Sequence, residues 1–192
     1  MNEKTEVEIV FFSSNSWRAK LIQEFTNSKW NHVGVIISRE NGIVTIYEAL
    51  DEGLTKSQYD EETLNYYLRS GTIEIKTIKT LMSRKQITKR ANTYLGRPYA
   101  WFSIFLVVIF KYLKVLNLDQ LAFFFTSCKH LICSEFVARL LYDISYKTIN
   151  FAEEYNKTYD LITPADIYNS SIWLFQELLN KDKIDEKEVD SI

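Results

Sequence analysis

The hydrophobic and polar positions in the first part of the chain change period several times. Apolar runs over Val7–Phe12, Val33–Ser38 and Ile43–Leu50 are rich in β-branched and aromatic residues, which is typical of strands. Between the first two runs, apolar residues recur at helical spacing after Ser16, a residue type that caps helices. The pattern predicts a strand, a helix and then two consecutive strands joined by a hairpin.

The remainder of the chain has mostly helical periodicity. An alternating segment over residues 73–78 predicts one more strand, half exposed. Helices are expected over Asp60–Arg69, from Ser83 to Gly96, over the apolar segment Tyr99–Phe110, over Cys133–Tyr146, after the Thr163 cap, and through Trp173. The sequence therefore predicts the α+β class, with a small antiparallel sheet packed against helices.

Length and composition favour a single domain. The chain has 192 residues, of which 46% are hydrophobic, and this is enough apolar material for one core. We assign residues 1–180 to this domain. Residues 181–192 form a charged segment with few apolar anchors, and we expect a C-terminal tail there.

The charge and hydropathy patterns exclude some classes of partner. The 23 Lys and Arg residues are balanced by 25 Asp and Glu residues, so no uniformly basic surface is expected to bind nucleic acid. The start of the chain lacks a basic secretory signal, and the apolar segment 99–110 is too short to span a bilayer. We expect a cytoplasmic protein. Contact of segment 99–110 with a membrane surface is the less favoured alternative to a buried helix.

Few residues are available for imidazole or thiol chemistry. The histidines are His32, at the mouth of a predicted strand, and His130; the cysteines are Cys128 and Cys133, which we interpret as thiols. Their spacing is not that of a zinc site, so we expect neither a metal nor a cofactor.

Cys133 is placed at the first turn of an amphipathic helix. The unpaired amides and the dipole at a helix N-terminus lower the pKa of a thiol, and the same amides can form part of an oxyanion hole. A buried, inert cysteine is the alternative, because free cysteine is among the most buried residue types.

Five short motifs, in this order, resemble the permuted branch of the NlpC-like papain-fold superfamily, the YiiX/YebB-like hydrolases. In that branch the strand that bears the histidine precedes the helix that bears the cysteine, as it does here. The motifs are HVG at 32–34, YEAL at 47–50, LGRPYAW at 95–101, ICSEFVARLLY at 132–142 and TPADIY at 163–168. The resemblance covers residues 32–168 and implies a permuted papain-like fold.

The resemblance also implies roles for individual residues. Cys133 would be the nucleophile, His32 the general base, and Glu48 the group that orients the imidazole. A salt bridge at the end of a strand is the alternative role for Glu48. Tyr99 and Gly34 are candidate substrate-binding residues, although Ala100 stands where relatives often carry an acid.

The register of the hairpin determines whether His32 and Glu48 share a face of the sheet. We expect a three-residue loop, residues 40–42, with Gly42 in the left-handed conformation. Gly34 then lies opposite Glu48, which makes His32 and Glu48 diagonal neighbours. The absence of a side chain at Gly34 would also let the Cys133 helix approach closely.

The expected activity is hydrolysis of an amide bond, in a peptide or an isopeptide, through a thioester acyl-enzyme. A lipid-directed acyltransferase or phospholipase with the same cysteine chemistry is one alternative, and a non-catalytic binding module on the same fold is another. The expected partner is a small-molecule, peptide or lipid substrate. The sequence indicates neither the natural substrate nor an oligomeric state.

Overall fold

A computed structural model describes residues 4–98 and 132–174 of the protein. Five antiparallel strands form one sheet in the order β4-β3-β2-β1-β5. The strands are β1 Thr5–Phe12, β2 His32–Glu40, β3 Ile43–Leu50, β4 Gly53–Asp60 and β5 Ile73–Thr80. The α+β class and the small antiparallel sheet predicted from the sequence are confirmed.

Helices cover both faces of this sheet. The longest described helix, which begins at Cys133, carries an apolar stripe whose residues are all buried. The helices are α1 Trp17–Thr26, α2 Glu61–Arg69, α3 Arg84–Asn92, α4 Cys133–Ile144, α5 Phe151–Glu154 and α6 Pro164–Asn169, with a 3₁₀ turn at Tyr159–Leu161. Residues 172–174 begin a further helix, where one was predicted around Trp173.

Local capping signals place the helix starts correctly. The side chain of Ser16 accepts a hydrogen bond from the Ala19 amide, so the cap predicted for α1 is confirmed. Capping boxes begin α3 at Ser83 and α6 at Thr163. The α3 helix ends at Asn92 rather than at Gly96, because a series of turns intervenes before Gly96 takes up a φ of 74°.

The β2–β3 hairpin differs from the prediction. Its loop has two residues, Asn41 and Gly42, both with positive φ, and Glu40 pairs directly with Ile43. The predicted three-residue loop is therefore wrong. Asn-Gly is the preferred sequence for a two-residue hairpin loop, because both loop positions need positive φ. The two-residue loop therefore forms in place of the three-residue one.

A β-bulge in β2 brings His32 and Glu48 to the same face of the sheet, as the predicted three-residue loop would have done. Ile36 pairs with Ile46 and Ser38 with Thr45, so Ile37 is an extra residue on β2. Beyond the bulge the register is shifted by one, and Val35 pairs with Tyr47. When this register is continued by one position, Gly34 of β2 lies beside Glu48 of β3.

The sheet separates two hydrophobic clusters. The larger one lies between the sheet and α4 and includes Val33 and Val35 of β2. The smaller one, on the opposite face, contains Ile36 and Ile46 and is covered by Leu64 of α2. Alternate side chains of each strand point to opposite faces of the pleated sheet and so pack into the two different clusters.

Several predicted features lie outside the described residues. They are Tyr99 and the apolar segment 99–110, Cys128, His130, and the tail over residues 181–192. None of the described helices combines the length and the apolar character needed to cross a membrane.

Candidate active site

His32 and Glu48 form a close pair near one end of the sheet. His32 opens β2 and Glu48 lies near the end of β3, and the Nε2 of the ring is 2.8 Å from Oε2 of the carboxylate. Glu48 is 1% exposed. The imidazole is therefore held in a fixed orientation by a carboxylate that water hardly reaches.

His32, helped by two neighbouring hydroxyl groups, keeps the Glu48 carboxylate ionised. Burial would raise its pKa, but the hydrogen bond and the charge of His32 outweigh this and lower the pKa below 4.5. Hydrogen bonds from Ser57 and Tyr59 lower it further. The Tyr59 hydroxyl donates to Oε1 at 2.8 Å, so each carboxylate oxygen has a partner.

Cys133 is the first residue of α4 and is 4% exposed. Its side chain hydrogen-bonds the His32 ring. Since Nε2 of the ring is engaged by Glu48, Nδ1 is left for the thiol. The backbone amides of Val33 and Ser134 also donate to the Cys133 sulfur, which makes this environment suited to a thiolate.

The electrostatics of the Cys133–His32 pair favour a thiolate and an imidazolium. Burial opposes both charges, but each group is stabilised by the other. The Cys133 sulfur and the Glu48 carboxylate raise the pKa of His32 above 6.5. The imidazolium and the two amides lower the pKa of Cys133 below 9.0. Both shifts favour the thiolate, which is the nucleophilic form of the sulfur.

Aromatic rings border the imidazole on the face of the sheet opposite α4. The ring of Phe12 lies 5.2 Å from the His32 ring and 6.5 Å from that of Tyr59, centroid to centroid. Phe12 and Tyr59 also pack against the smaller hydrophobic cluster. This apolar surround limits access of water to the charged groups and so strengthens their interaction.

Gly34 is buried between the two residues of the pair. A Cβ built on it would lie 2.8 Å from Cγ2 of Ile46 and 3.2 Å from Cβ of Glu48. The space that this glycine leaves is therefore filled by β3, and the expectation that it admits the Cys133 helix is wrong. Helix α4 packs instead on the other face of the sheet, against Val33 and Val35. A substrate-binding role for Gly34 stays a prediction.

The structure brings together the three residues predicted to carry the chemistry. Cys133 contacts His32, and His32 contacts Glu48. Their catalytic roles stay predictions, as does the substrate-binding role of Tyr99, which lies outside the described residues together with His130 and Cys128.

Sequence reasoning missed Ser57 and Tyr59, because it assigned no strand to β4. This strand contains mostly polar residues and has no apolar run. A signal was nevertheless present, since Thr55, Ser57 and Tyr59 alternate with the more polar Lys56, Gln58 and Asp60.

Comparison with known proteins supports the fold. Neither a protein family model nor a curated protein matches this sequence. A solved structure, described as the metalloprotein yiiX from Escherichia coli O157:H7, superposes with a TM-score of 0.51 at 19% identity. The match covers 85% of this chain and 91% of that one. The fold is YiiX-like. At this level of identity the match with YiiX shows the fold alone, and the chemistry must be argued from the residues.

Proposed function

We propose that this protein is a cysteine hydrolase of the permuted papain-like type that cleaves an amide bond through a thioester intermediate. The observation that carries the proposal is the continuous contact from Cys133 to His32 to Glu48. The YiiX-like fold and the order of the histidine strand before the cysteine helix support the permuted assignment.

The reaction begins with attack of the Cys133 thiolate on a carbonyl carbon. The carbonyl π electrons move to oxygen, and the tetrahedral intermediate collapses as the C–N bond breaks. The His32 imidazolium gives its proton to the leaving nitrogen, which departs as the amine. A thioester between the acyl group and the sulfur remains, and the imidazole is neutral.

Hydrolysis of the thioester reverses these roles. Neutral His32 removes a proton from water, and the hydroxide attacks the thioester carbon. The C–S bond breaks, the acid is released, and the thiolate and imidazolium are restored. Glu48 accepts the hydrogen bond from Nε2 throughout and stabilises the imidazolium whenever it forms.

The start of α4 is suited to stabilising the negative charge on the carbonyl oxygen. The helix begins at Cys133, and the Phe136 amide donates to the Ile132 carbonyl. The amides before Phe136 in the first turn have no carbonyl partner within the helix, because the first four N–H groups of a helix have no carbonyl four residues before them in it. The Ser134 amide donates to the Cys133 sulfur, and we expect the other amides of this turn, with the positive end of the helix dipole, to stabilise the oxyanion.

The description of YiiX as a metalloprotein raises the question of a metal in this chain. Within residues 4–98 and 132–174, no group of three or more His, Cys, Asp and Glu side chains is arranged to hold a metal ion. His32, Glu48 and Cys133 are instead bonded to one another. The described donor set does not fit a metal centre, and the proposed mechanism contains no metal-dependent step.

Two alternatives are separated from amide hydrolysis by experiment. A lipid-directed acyltransferase or phospholipase would use the same thiolate on an ester carbonyl. A binding module on the same fold would have no need of a nucleophile with a lowered pKa, which counts against that alternative.

The proposal is tested by trapping the acyl-enzyme. Wild-type protein is incubated with activated amide, ester and phospholipid substrates, quenched in acid and analysed by intact and peptide mass spectrometry. We expect an amide substrate to leave its acyl group on Cys133, and hydroxylamine to remove it. Cys133→Ala provides the matched control and should show no adduct. Acylation by phospholipid alone would support the lipid alternative, and no adduct from any class would contradict a hydrolase.

A further inference from the structure

We propose that Tyr59 is a positioning residue of this site, whose hydroxyl holds the Glu48 carboxylate against the His32 ring. The inference rests on the proposed function, in which the orientation of His32 matters for the chemistry. Tyr59 is not assigned a contact with substrate or with Cys133, and it acts through Glu48. Its place in the site follows from three features of β4 and its neighbours.

The first feature is the division of the two carboxylate oxygens. Oε1 of Glu48 accepts from the Tyr59 hydroxyl at 2.8 Å, and Oε2 lies 2.8 Å from Nε2 of His32. A carboxylate bonded through both oxygens to groups on two different strands cannot rotate without breaking one bond. The Tyr59 hydroxyl therefore restrains the oxygen that faces His32.

The second feature is the burial of Glu48, which is 1% exposed. A buried carboxylate that loses a donor is left with an unsatisfied oxygen, and this raises the free energy of its charged form. Ser57 is the other hydroxyl that bonds to Glu48. The two hydroxyl groups take the place of the water molecules that an exposed carboxylate would bind.

The third feature is the long reach of Tyr59 along the sheet. Tyr59 pairs with Val44, four positions from Glu48 on β3, which is about 13 Å along a strand. The side chain must therefore lie along the face of the sheet, and its ring packs with Phe12 on the smaller cluster. The ring supplies packing, whereas the hydroxyl supplies the contact with Glu48.

The titratable groups around Glu48 are consistent with this role. His32 faces it from β2 and Tyr59 from β4, while Cys133 of α4 acts on it through His32. Burial, with the charge of Glu48, raises the pKa of Tyr59, so the phenol stays protonated and remains a donor. Tyr67 of α2 also raises the pKa of Tyr59, whereas a hydrogen bond with Ser57 lowers it by less.

The experiment measures the pKa of the Cys133 thiol from the pH dependence of its alkylation by iodoacetamide, followed by peptide mass mapping. We expect Tyr59→Phe to raise the midpoint by roughly 0.5 to 1 pH unit. Without the hydroxyl, the carboxylate supports the imidazolium less well, and the imidazolium in turn supports the thiolate less well. Tyr66→Phe is the matched control, since Tyr66 lies on α2 and is 62% exposed, and it should leave the midpoint unchanged.

A double-mutant cycle separates positioning from general packing. Glu48→Gln removes the charge through which Tyr59 is proposed to act, so Tyr59→Phe should cause no further shift in that background. Circular dichroism checks that each variant folds. An unchanged or lowered midpoint in Tyr59→Phe, or an equal shift in the Glu48→Gln background, would overturn the inference. Alkylation needs no substrate, so this result is independent of whether the acyl-enzyme test finds a hydrolase.

Discussion

Gly34 and Glu48 approach so closely across β2 and β3 that a Cβ on the glycine would lie 3.2 Å from the Cβ of the glutamate. The same atom would be 3.1 Å from the Tyr47 carbonyl oxygen and 2.8 Å from Cγ2 of Ile46. These neighbours belong to the packed face of β3 and have little freedom to move. The absence of a side chain at Gly34 is therefore a condition for the position of Glu48.

We expect Gly34→Ala to displace Glu48 and disturb the site. The added methyl group forces β3 to shift, which costs about 1 to 3 kcal/mol of unfolding free energy, as overpacking of a core does. The carboxylate then leaves its position on the His32 ring, and alkylation of Cys133 at pH 7 slows. Urea unfolding measures the first effect and peptide mass mapping the second.

Gly42→Ala is the matched control for this substitution. Gly42 has a φ of 76°, and a Cβ built on it would meet no atom within 4 Å, so the change adds backbone strain but no contact. It should lower the unfolding free energy by about 1 kcal/mol and leave the alkylation rate of Cys133 unchanged. Equal thiol reactivity in Gly34→Ala and Gly42→Ala would show that the close approach does not position Glu48.

Removal of the sulfur should lower the pKa of His32. Burial already opposes the charge of the imidazole, and the Cys133 sulfur is the largest of the influences that raise its pKa above 6.5. In Cys133→Ala the pKa of His32 should fall towards or below that value. A titration by NMR detects this, with His130→Gln used to assign the two imidazole signals. A pKa unchanged by the loss of the sulfur would argue against the ion pair.

The ionised Glu48 carboxylate should contribute to stability at pH values above its folded pKa, and this contribution should be lost in acid. The pKa of Glu48 is lowered below 4.5 in the folded protein, so the contribution is present above 4.5 and is lost as the pH falls through the folded value. We expect the unfolding free energy of wild type to fall more steeply below pH 4.5 than that of Glu48→Gln. Urea unfolding curves at several acidic pH values provide the measurement. Parallel curves would mean that Glu48 has the same pKa when folded and unfolded.

Ser134 should anchor the helix start that presents Cys133. Its hydroxyl, which is buried, donates to the Ile162 carbonyl at 2.5 Å. Ser134→Ala leaves that carbonyl unsatisfied and should cost about 1 to 3 kcal/mol of unfolding free energy. Ser70→Ala, at an exposed position, serves as the control and should change stability by less than about 0.5 kcal/mol. Similar losses in the two variants would contradict the anchoring role.

Much of the fold was predictable where a short segment carries its own signal. The caps at Ser16, Ser83 and Thr163 were predicted correctly, because a side chain three residues from the amide it binds leaves a local pattern. The buried stripe of α4 was equally visible, since apolar residues at helical spacing are typical of a helix with one face in the core.

Strand β4 and the β-bulge in β2 were not predicted, because both depend on contacts between strands. Strand β4 carries few apolar residues, so its pairing with β3 left no clear hydrophobic pattern, and Ser57 and Tyr59 were overlooked with it. The bulge at Ile37 was invisible because the register depends on how β2 fits β3. The face relationship of His32 and Glu48 was therefore anticipated for an incorrect reason.

The pH dependence of Cys133 alkylation in wild type and in His32→Gln tests the proposed catalytic pair most directly. The imidazolium is the largest influence that lowers the pKa of this buried thiol. We predict that wild-type Cys133 reacts before Cys128, with a midpoint below 9.0, and that the midpoint rises above 9.0 in His32→Gln, where burial is no longer opposed by a charge. Equal midpoints in the two proteins, or preferential alkylation of Cys128, would contradict the assignment of Cys133 and His32 as nucleophile and base.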